Sequence, residues 1–178
     1  MISYVLDASV VVKWFIPEEY GESALKLKNV DGRFHAPAFL TLEIGNVLAK
    51  KRRRNELTHG ETENIWQAFR QAPIRRHADE TLVLAAFDLA QQTRTTLYDN
   101  LYLALALELN SPFVTADRKF YKAHQTTSYR QRIAWIEDLW HRSREQRDRL
   151  CKFLSSHHRH LLHRQLLCHI PHLHAMNE

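Results

Sequence analysis

Four carboxylates, Asp7, Glu43, Asp99 and Asp117, are dispersed at intervals of 36, 56 and 18 residues, each beside an apolar segment. Asp7 directly follows the apolar run Ile2 to Leu6, and Asp117 follows Phe113-Val114-Thr115 after the single residue Ala116. Asp99 opens an apolar helical segment, and Glu43 lies among Leu40, Leu42, Ile44, Val47 and Leu48. There a charge without a partner is costly. Four carboxylates brought within a few ångströms raise each other's pKa unless a cation sits among them. An all-oxygen donor set suits Mg²⁺, with Mn²⁺ a possible substitute, and argues against Zn²⁺. Such a cluster binds a phosphate oxygen, lowers the pKa of a bound water and promotes in-line attack on a phosphodiester. Taken singly, each acid has a plainer role. Asp7, Asp99 and Asp117 stand where helix caps and dipole partners belong, and Glu43 alone would be the edge of an amphipathic stripe.

The elements that must bring these acids together alternate between short β-type runs and longer helical patterns as far as about Trp140, the signature of βαβ units and a mostly parallel sheet. Strands are expected at Ile2–Leu6, Phe34–Ala36, Pro112–Thr115 and Ile133–Ile136, with a further short run at Ile74–His77. Helices are expected over residues 9–15 and 18–28, broken at Pro17, and over 38–54, with Leu40, Ile44, Val47 and Leu48 as a buried stripe. Further helices are expected over 58–70, opened by a Thr58-x-x-Glu61 capping box, then 79–94, then 97–109, apolar on nearly every face and so central. A last helix begins near Asp117. The fold class is α/β, a three-layer α/β/α sandwich, which places Asp7 and Asp117 at carboxyl ends of parallel strands, where open sheets build their sites.

The formal charge of +5 is unevenly spread: residues 1–140 carry 18 Lys+Arg against 17 Asp+Glu, and residues 141–178 carry 7 against 3. Bulk basicity therefore says little about the main domain, residues 1–140. Residues 141–178 are a separate His-rich basic extension, with eight of the twelve histidines and both cysteines, Cys151 and Cys168. No disulfide framework is available to the main domain. The N-terminus lacks a basic opening and its apolar run is broken by Asp7, so no secretory signal is read there. No apolar stretch approaches the roughly 20 residues that cross a bilayer. The expected location is the cytoplasm, with no membrane partner.

Lys50-Lys51-Arg52-Arg53-Arg54 has the look of a phosphate-binding run, but it closes a long helix, where cations oppose the negative end of the dipole. Arg118 and Lys119, adjacent to Asp117, are better placed to contact substrate phosphates, or else simply form a solvated helix start. Trp14, Phe15, Tyr98 and Tyr102 are candidates for stacking on bases, against the more frequent role of aromatics in core packing. The extension's histidines have no tight Cys-x-x-Cys pair beside them, and adventitious metal binding is the better reading.

Four motifs, Val5-Leu6-Asp7-Ala8-Ser9, Leu42-Glu43-Ile44-Gly45-Asn46-Val47-Leu48, Tyr98-Asp99-Asn100-Leu101-Tyr102-Leu103-Ala104-Leu105-Ala106 and Val114-Thr115-Ala116-Asp117-Arg118-Lys119-Phe120, give the chain a close likeness to a known family. In order and spacing it resembles the PIN-domain ribonucleases, and within them the toxin subunits of VapBC-type toxin–antitoxin pairs, over residues 1 to about 140. The resemblance implies a sheet of about five parallel strands, one or two Mg²⁺ ions and hydrolysis of RNA by a metal-activated water. It implies Asp7 and Asp99 as metal ligands, with Asp117 and Glu43 completing the catalytic set, Asp117 as a further ligand and Glu43 as the group that positions metal and water. Ser9, Asn46 and Thr115 match polar positions that support such ligands. A cognate antitoxin that occludes the site and a homodimer of the toxin are implied as partners. The extension departs from the family pattern, which ends near Trp140. Two other readings are a PIN-like module that binds RNA or a partner without cutting, and an aspartyl-phosphate phosphatase or receiver domain. The phosphatase would want Asp-x-Asp where Asp7-Ala8-Ser9 stands, and the receiver a phospho-acceptor after a mid-sequence strand.

Overall fold

Five short apolar segments pair side by side into one parallel sheet: β1 (Ile2–Leu6), β2 (Gly32–Pro37), β3 (Ile74–His77), β4 (Phe113–Thr115) and β5 (Ile133–Trp135), in the spatial order β3-β2-β1-β4-β5. The computed structural model describes residues 2–141, so the extension expected from residue 141 onward lies outside the described residues except for its first. In register, Val5 lies opposite His35 on one side and Phe113 on the other, and Leu6 lies opposite Val114. Tyr4, Val5 and Leu6 are buried, as a central parallel strand covered on both faces must be. At the start of β2 a side chain at Gly32 would meet the Ile2 carbonyl oxygen at 3.1 Å and the Tyr4 ring at 3.2 Å, so close pairing there depends on glycine.

The helices are α1 (Ala8–Val11), α2 (Gly21–Lys28), α3 (Leu40–Arg53), α4 (His59–Arg70), α5 (Val83–Thr93), α6 (Leu97–Glu108), α7 (Arg118–Ala123) and α8 (Asp138–His141). On one face α6 lies over β1, β2 and β4, with α5 packed against it. Its residues from Asn100 to Ala106 are all buried, and Tyr102 stacks on Phe113 with centroids 5.8 Å apart. On the other face Phe34 meets Trp14 at 5.4 Å and Tyr4 at 6.3 Å, and Phe15 meets Phe69 of α4 at 6.3 Å. This is the expected three-layer α/β/α sandwich. Because the chain runs outward from β1 through β2 to β3 and then returns to β4 on the other side, the order reverses between β1 and β4. That is the switch point at which parallel sheets open a crevice beyond their carboxyl ends.

Three helices differ from the expected spans for local reasons. The helix expected from residue 18 starts at Gly21, because Tyr20 takes a left-handed conformation at φ 65°. The helix expected over 79–94 opens with a separate 3₁₀ turn, Asp79–Thr81, before α5, and the Asp79 carboxylate accepts a hydrogen bond at 3.0 Å from the Phe39 amide at the head of α3. The segment expected over 9–15 is α1 followed by a 3₁₀ turn, Val12–Trp14, whose Trp14 indole donates to the Ala24 carbonyl at 2.9 Å. The capping box that opens α4 has both of its hydrogen bonds, Thr58 with Glu61.

Candidate active site

Asp7 and Asp117 are carried by the adjacent ends of β1 and β4, and two hydroxyls lock those ends together. Thr115 donates its hydroxyl to Asp7 Oδ2, and Thr115 Oγ1 in turn accepts from the Asp117 amide at 3.0 Å. Ser9 Oγ accepts from the Ala116 amide at 3.0 Å, and the Ser9 amide donates to Asp7 Oδ1 at 3.0 Å. Both acids also cap helices, so the plainer role holds alongside any chemical one. Asp7 caps α1, and Asp117 Oδ1 caps α7 by accepting from the amides of Lys119 at 2.7 Å and Phe120 at 3.0 Å.

Glu43 and Asp99 arrive on helices. Glu43, half-buried in the first turn of α3, accepts a hydrogen bond from the Tyr102 hydroxyl of α6. Asp99 is not the cap of α6. Thr96 is: its hydroxyl accepts from the Asp99 amide at 3.1 Å and donates to Asp99 Oδ2 at 2.7 Å. Thr96 and Tyr102 are the two contributors that the sequence reading did not assign to the acids. For Thr96 the signal was available, since Thr-x-x-Asp has the spacing of a capping box. For Tyr102 only the three-dimensional packing of α3 against α6 supplies it.

The electrostatics show that the acids share one locality. Burial pushes Glu43 from 4.5 up to about 7, against the opposing Tyr102 hydrogen bond, and the charges of Asp7 and Asp99 push it in the same direction. Burial also raises Asp7, with a further contribution from Asp99 and with Thr115 and Ser9 opposing. Asp99 is raised by burial and by Asp117, while Thr96, His124 and Lys119 pull it back. No ion pair among the described residues involves any of these four acids. Among the described residues, crowded negative charge is therefore met at contact distance by hydroxyls and amides rather than by ion pairs.

The remaining predicted residues divide. Ser9 and Thr115 are built into the lock. Asn46 is exposed on α3, one turn past Glu43, and is not brought to the other acids by a hydrogen bond. Arg118 and Lys119 are exposed at the head of α7, but Arg118 is folded back, bonded to the Tyr20 hydroxyl with its guanidinium 5.6 Å from the Trp135 ring. The basic run behaves as a helix end: Lys51 pairs with Glu18 at 2.9 Å and with Glu56 at 3.1 Å. Of the four aromatics, Trp14 and Tyr102 are buried in the core, whereas Tyr98 is 56% exposed.

A family model described as PIN domain matches residues 4–125. The chain belongs to the PIN domain family. Among characterised proteins it is 30% identical over 119 residues to Ribonuclease VapC3 of Pyrobaculum aerophilum, covering 65% of this chain and 89% of that one. It is 28% identical over 119 residues to Ribonuclease VapC3 of Mycobacterium tuberculosis, covering 67% and 85%. The fold is shared with the crystal structure of PAE2754 from Pyrobaculum aerophilum, at a TM-score of 0.58 and 18% identity over 85% of this chain and 90% of that one. It is shared also with VapBC2 of Rickettsia felis bound to a promoter DNA fragment, at 0.51 and 12% over 75% and 98%. Residues 4–125 contain all four acids, so the crevice at the switch point is part of the PIN domain itself.

Among the described residues no three His, Cys, Asp or Glu side chains stand grouped to hold a metal, because the acids are turned onto Thr115, Tyr102, Thr96 and the amides of α7. In chemistry the donor set suits a hard cation: carboxylates, several of them destabilised as anions by burial and mutual repulsion, with hydroxyls beside them.

Proposed function

We propose that this PIN domain is a Mg²⁺-dependent endoribonuclease, the toxin of a VapBC-type pair, which hydrolyses RNA phosphodiesters. The observation that carries the reading is the convergence of Asp7, Glu43 and Asp99, each with its pKa raised, at the switch point of a PIN domain whose relatives are named ribonucleases. Asp7 and Asp99 are the residues to hold Mg²⁺, or Mn²⁺ in its place, with Asp117 beside them. When bound, the cation supplies Lewis acidity toward a phosphate oxygen and a water of lowered pKa. Glu43, held by the Tyr102 hydroxyl at the margin of the packed face, would be the carboxylate that orients a water beside the ion. Thr115 and Ser9 fix Asp7, and Thr96 fixes Asp99, so that the donors are set before substrate arrives. The exposed Lys119 offers its charge to the phosphate backbone, with Arg118 beside it.

The partners that follow are RNA, a cognate antitoxin that covers the crevice and a second copy of the chain, acting in the cytoplasm. No described helix is long and apolar enough to cross a membrane. The test is cleavage of a structured RNA pool in Mg²⁺, in EDTA, and by Asp7→Asn and Asp99→Asn proteins. Mg²⁺-dependent cleavage lost in both variants supports the reading. A folded wild-type protein that binds Mg²⁺ and cuts nothing in the pool would favour a module that binds without cutting.

A further inference from the structure

Helices α3 and α6 touch through two rungs with the same spacing on each helix. The inner rung is the Glu43–Tyr102 hydrogen bond, and the outer rung is Phe39 stacked on Tyr98, with ring centroids 4.8 Å apart and planes 9° from parallel. Phe39 precedes Glu43 by four residues, and Tyr98 precedes Tyr102 by four, so each outer residue sits over its inner partner on one helix face. At about 1.5 Å per residue the outer rung stands roughly 6 Å along the helix from the inner one. Tyr98 is also the direct neighbour of Asp99.

The two rungs have opposite surroundings. Tyr102 is buried at 2% exposure against Phe113, while Tyr98 is 56% exposed and Leu42, three residues beyond Phe39 on α3, is 68% exposed. An aromatic ring held flat against a second ring has lost its freedom to turn but keeps one face open to solvent. Tyr98 stands one turn from the Glu43–Tyr102 bond and next to Asp99 in the chain, on the exposed side of the acid set rather than in the core.

We propose that Tyr98, backed by Phe39, is a stacking platform for an unpaired nucleobase beside the carboxylate set. Every nucleobase has a π-face, so the platform selects for unpaired structure rather than for sequence. In a duplex both faces of each base are occupied by its neighbours, and A-form RNA offers no free face to a ring at this depth. This inference rests on the nuclease reading for the identity of the ligand, but it concerns residues outside the carboxylate set and is read by binding.

The test measures anisotropy of a labelled short oligouridylate, and of the same strand in a duplex with oligoadenylate, in EDTA so that no cleavage interferes. Wild type, Tyr98→Ala, Tyr98→Phe and Lys119→Ala proteins are compared, with thermal melting as the check of folding. Loss of one base–aromatic stack weakens binding by roughly 5- to 100-fold. The expected pattern is that loss in Tyr98→Ala for the single strand, recovery of most of it in Tyr98→Phe, and little discrimination among the Tyr98 proteins on the duplex. A folded Tyr98→Ala protein that binds the single strand as wild type does overturns the platform. So does equal weakening on single strand and duplex, or a Tyr98→Ala protein that keeps its RNA affinity and instead loses its grip on an antitoxin. Cleavage by wild type in Mg²⁺ is measured in parallel: absent cleavage with an intact Tyr98 effect counts against the nuclease reading alone, and cleavage with no Tyr98 effect counts against the platform alone.

Discussion

The two halves of the acidic crevice are held by different means. Asp7 and Asp117 sit on neighbouring strand ends, and one residue, Thr115, bonds to both of them while Ser9 stitches the same two chain segments from the other side. Glu43 and Asp99 sit on α3 and α6, each answered by a single side chain: Tyr102 for Glu43 and Thr96 for Asp99. The strand half is determined by main-chain pairing, which leaves few alternatives. The helix half depends on how two helices pack, and each of its carboxylates is braced by one side-chain hydrogen bond, so it is the less constrained wall. A site built this way has one wall fixed and one wall adjustable.

The sharpest way to break the comparison is to remove a carboxylate from each wall. If Asp7 and Asp99 hold the proposed cation, Asp7→Asn and Asp99→Asn should each lower RNA cleavage by on the order of 10³-fold or more, because several kcal/mol of charge stabilisation would go with it. Single-turnover cleavage in Mg²⁺ reads this, and a tenfold loss in either would remove that acid from the ligand set. Next in size are the hydroxyls. Thr115→Val should cost roughly 10- to 100-fold in activity or Mg²⁺ affinity, the usual consequence of losing a partner that orients a ligand. Tyr102→Phe should cost less, since Thr115 serves two acids and Tyr102 one. An equal or larger loss in Tyr102→Phe would mean that the helix wall is as fixed as the strand wall.

The adjustable wall also has a pH signature. Burial raises Glu43 from 4.5 to about 7 in the metal-free fold, so the folded state holds this proton more tightly than the unfolded chain does. The stability so gained is complete below about pH 4.5 and is lost as pH rises through about 7. Glu43→Gln cannot ionise, so in EDTA the variant should be the more stable above pH 7, by on the order of 2 kcal/mol, and the advantage should vanish toward pH 4.5. His35, His77 and His124 have lowered pKa values and act with the opposite sign, losing stability as pH falls. The difference between the two proteins cancels them. Melting temperatures across pH measure it, and a pH-independent difference would show that Glu43 does not carry a raised pKa.

Legibility in the sequence follows the same division. The strand-borne acids were readable because an apolar run ending in Asp is a local pattern, and β1, β3 and β4 fall where those runs lie. Glu43 was readable as a misplaced charge among Leu40, Ile44 and Leu48, all buried in α3. What local patterns leave open is cross-element contact. Nothing near Glu43 names Tyr102, 59 residues away, as its donor. Nothing around Tyr98 says that its ring escapes burial while Tyr102, one turn on, does not. The start of α2 was misread because Tyr20 takes a left-handed conformation, a break marked in the run only by the helix-disfavouring Gly21 beside it. Asp79 was read as the first residue of a helix because its bond to the head of α3 spans 40 residues.

The smallest expected effect separates a cap that only caps from one that also serves the crevice. Thr58 and Thr96 share two bonds: each hydroxyl accepts from an amide three residues on and donates to the acid at that position, Glu61 in one case and Asp99 in the other, while only Glu61 also accepts from the cap's own amide. Thr58→Ala and Thr96→Ala should each cost about 1 kcal/mol of stability, as loss of a Thr cap does. Only Thr96→Ala should also change chemistry. Without the hydroxyl that favours its anion, Asp99 moves further upward in pKa, and protons compete better with the cation for it. The expected outcome is a matched fall in melting temperature for the two variants, with a weaker apparent Mg²⁺ affinity in cleavage assays for Thr96→Ala and a wild-type value for Thr58→Ala. Identical Mg²⁺ curves for both variants would place Thr96 with the ordinary caps and leave Asp99 oriented by the packing of α6 alone.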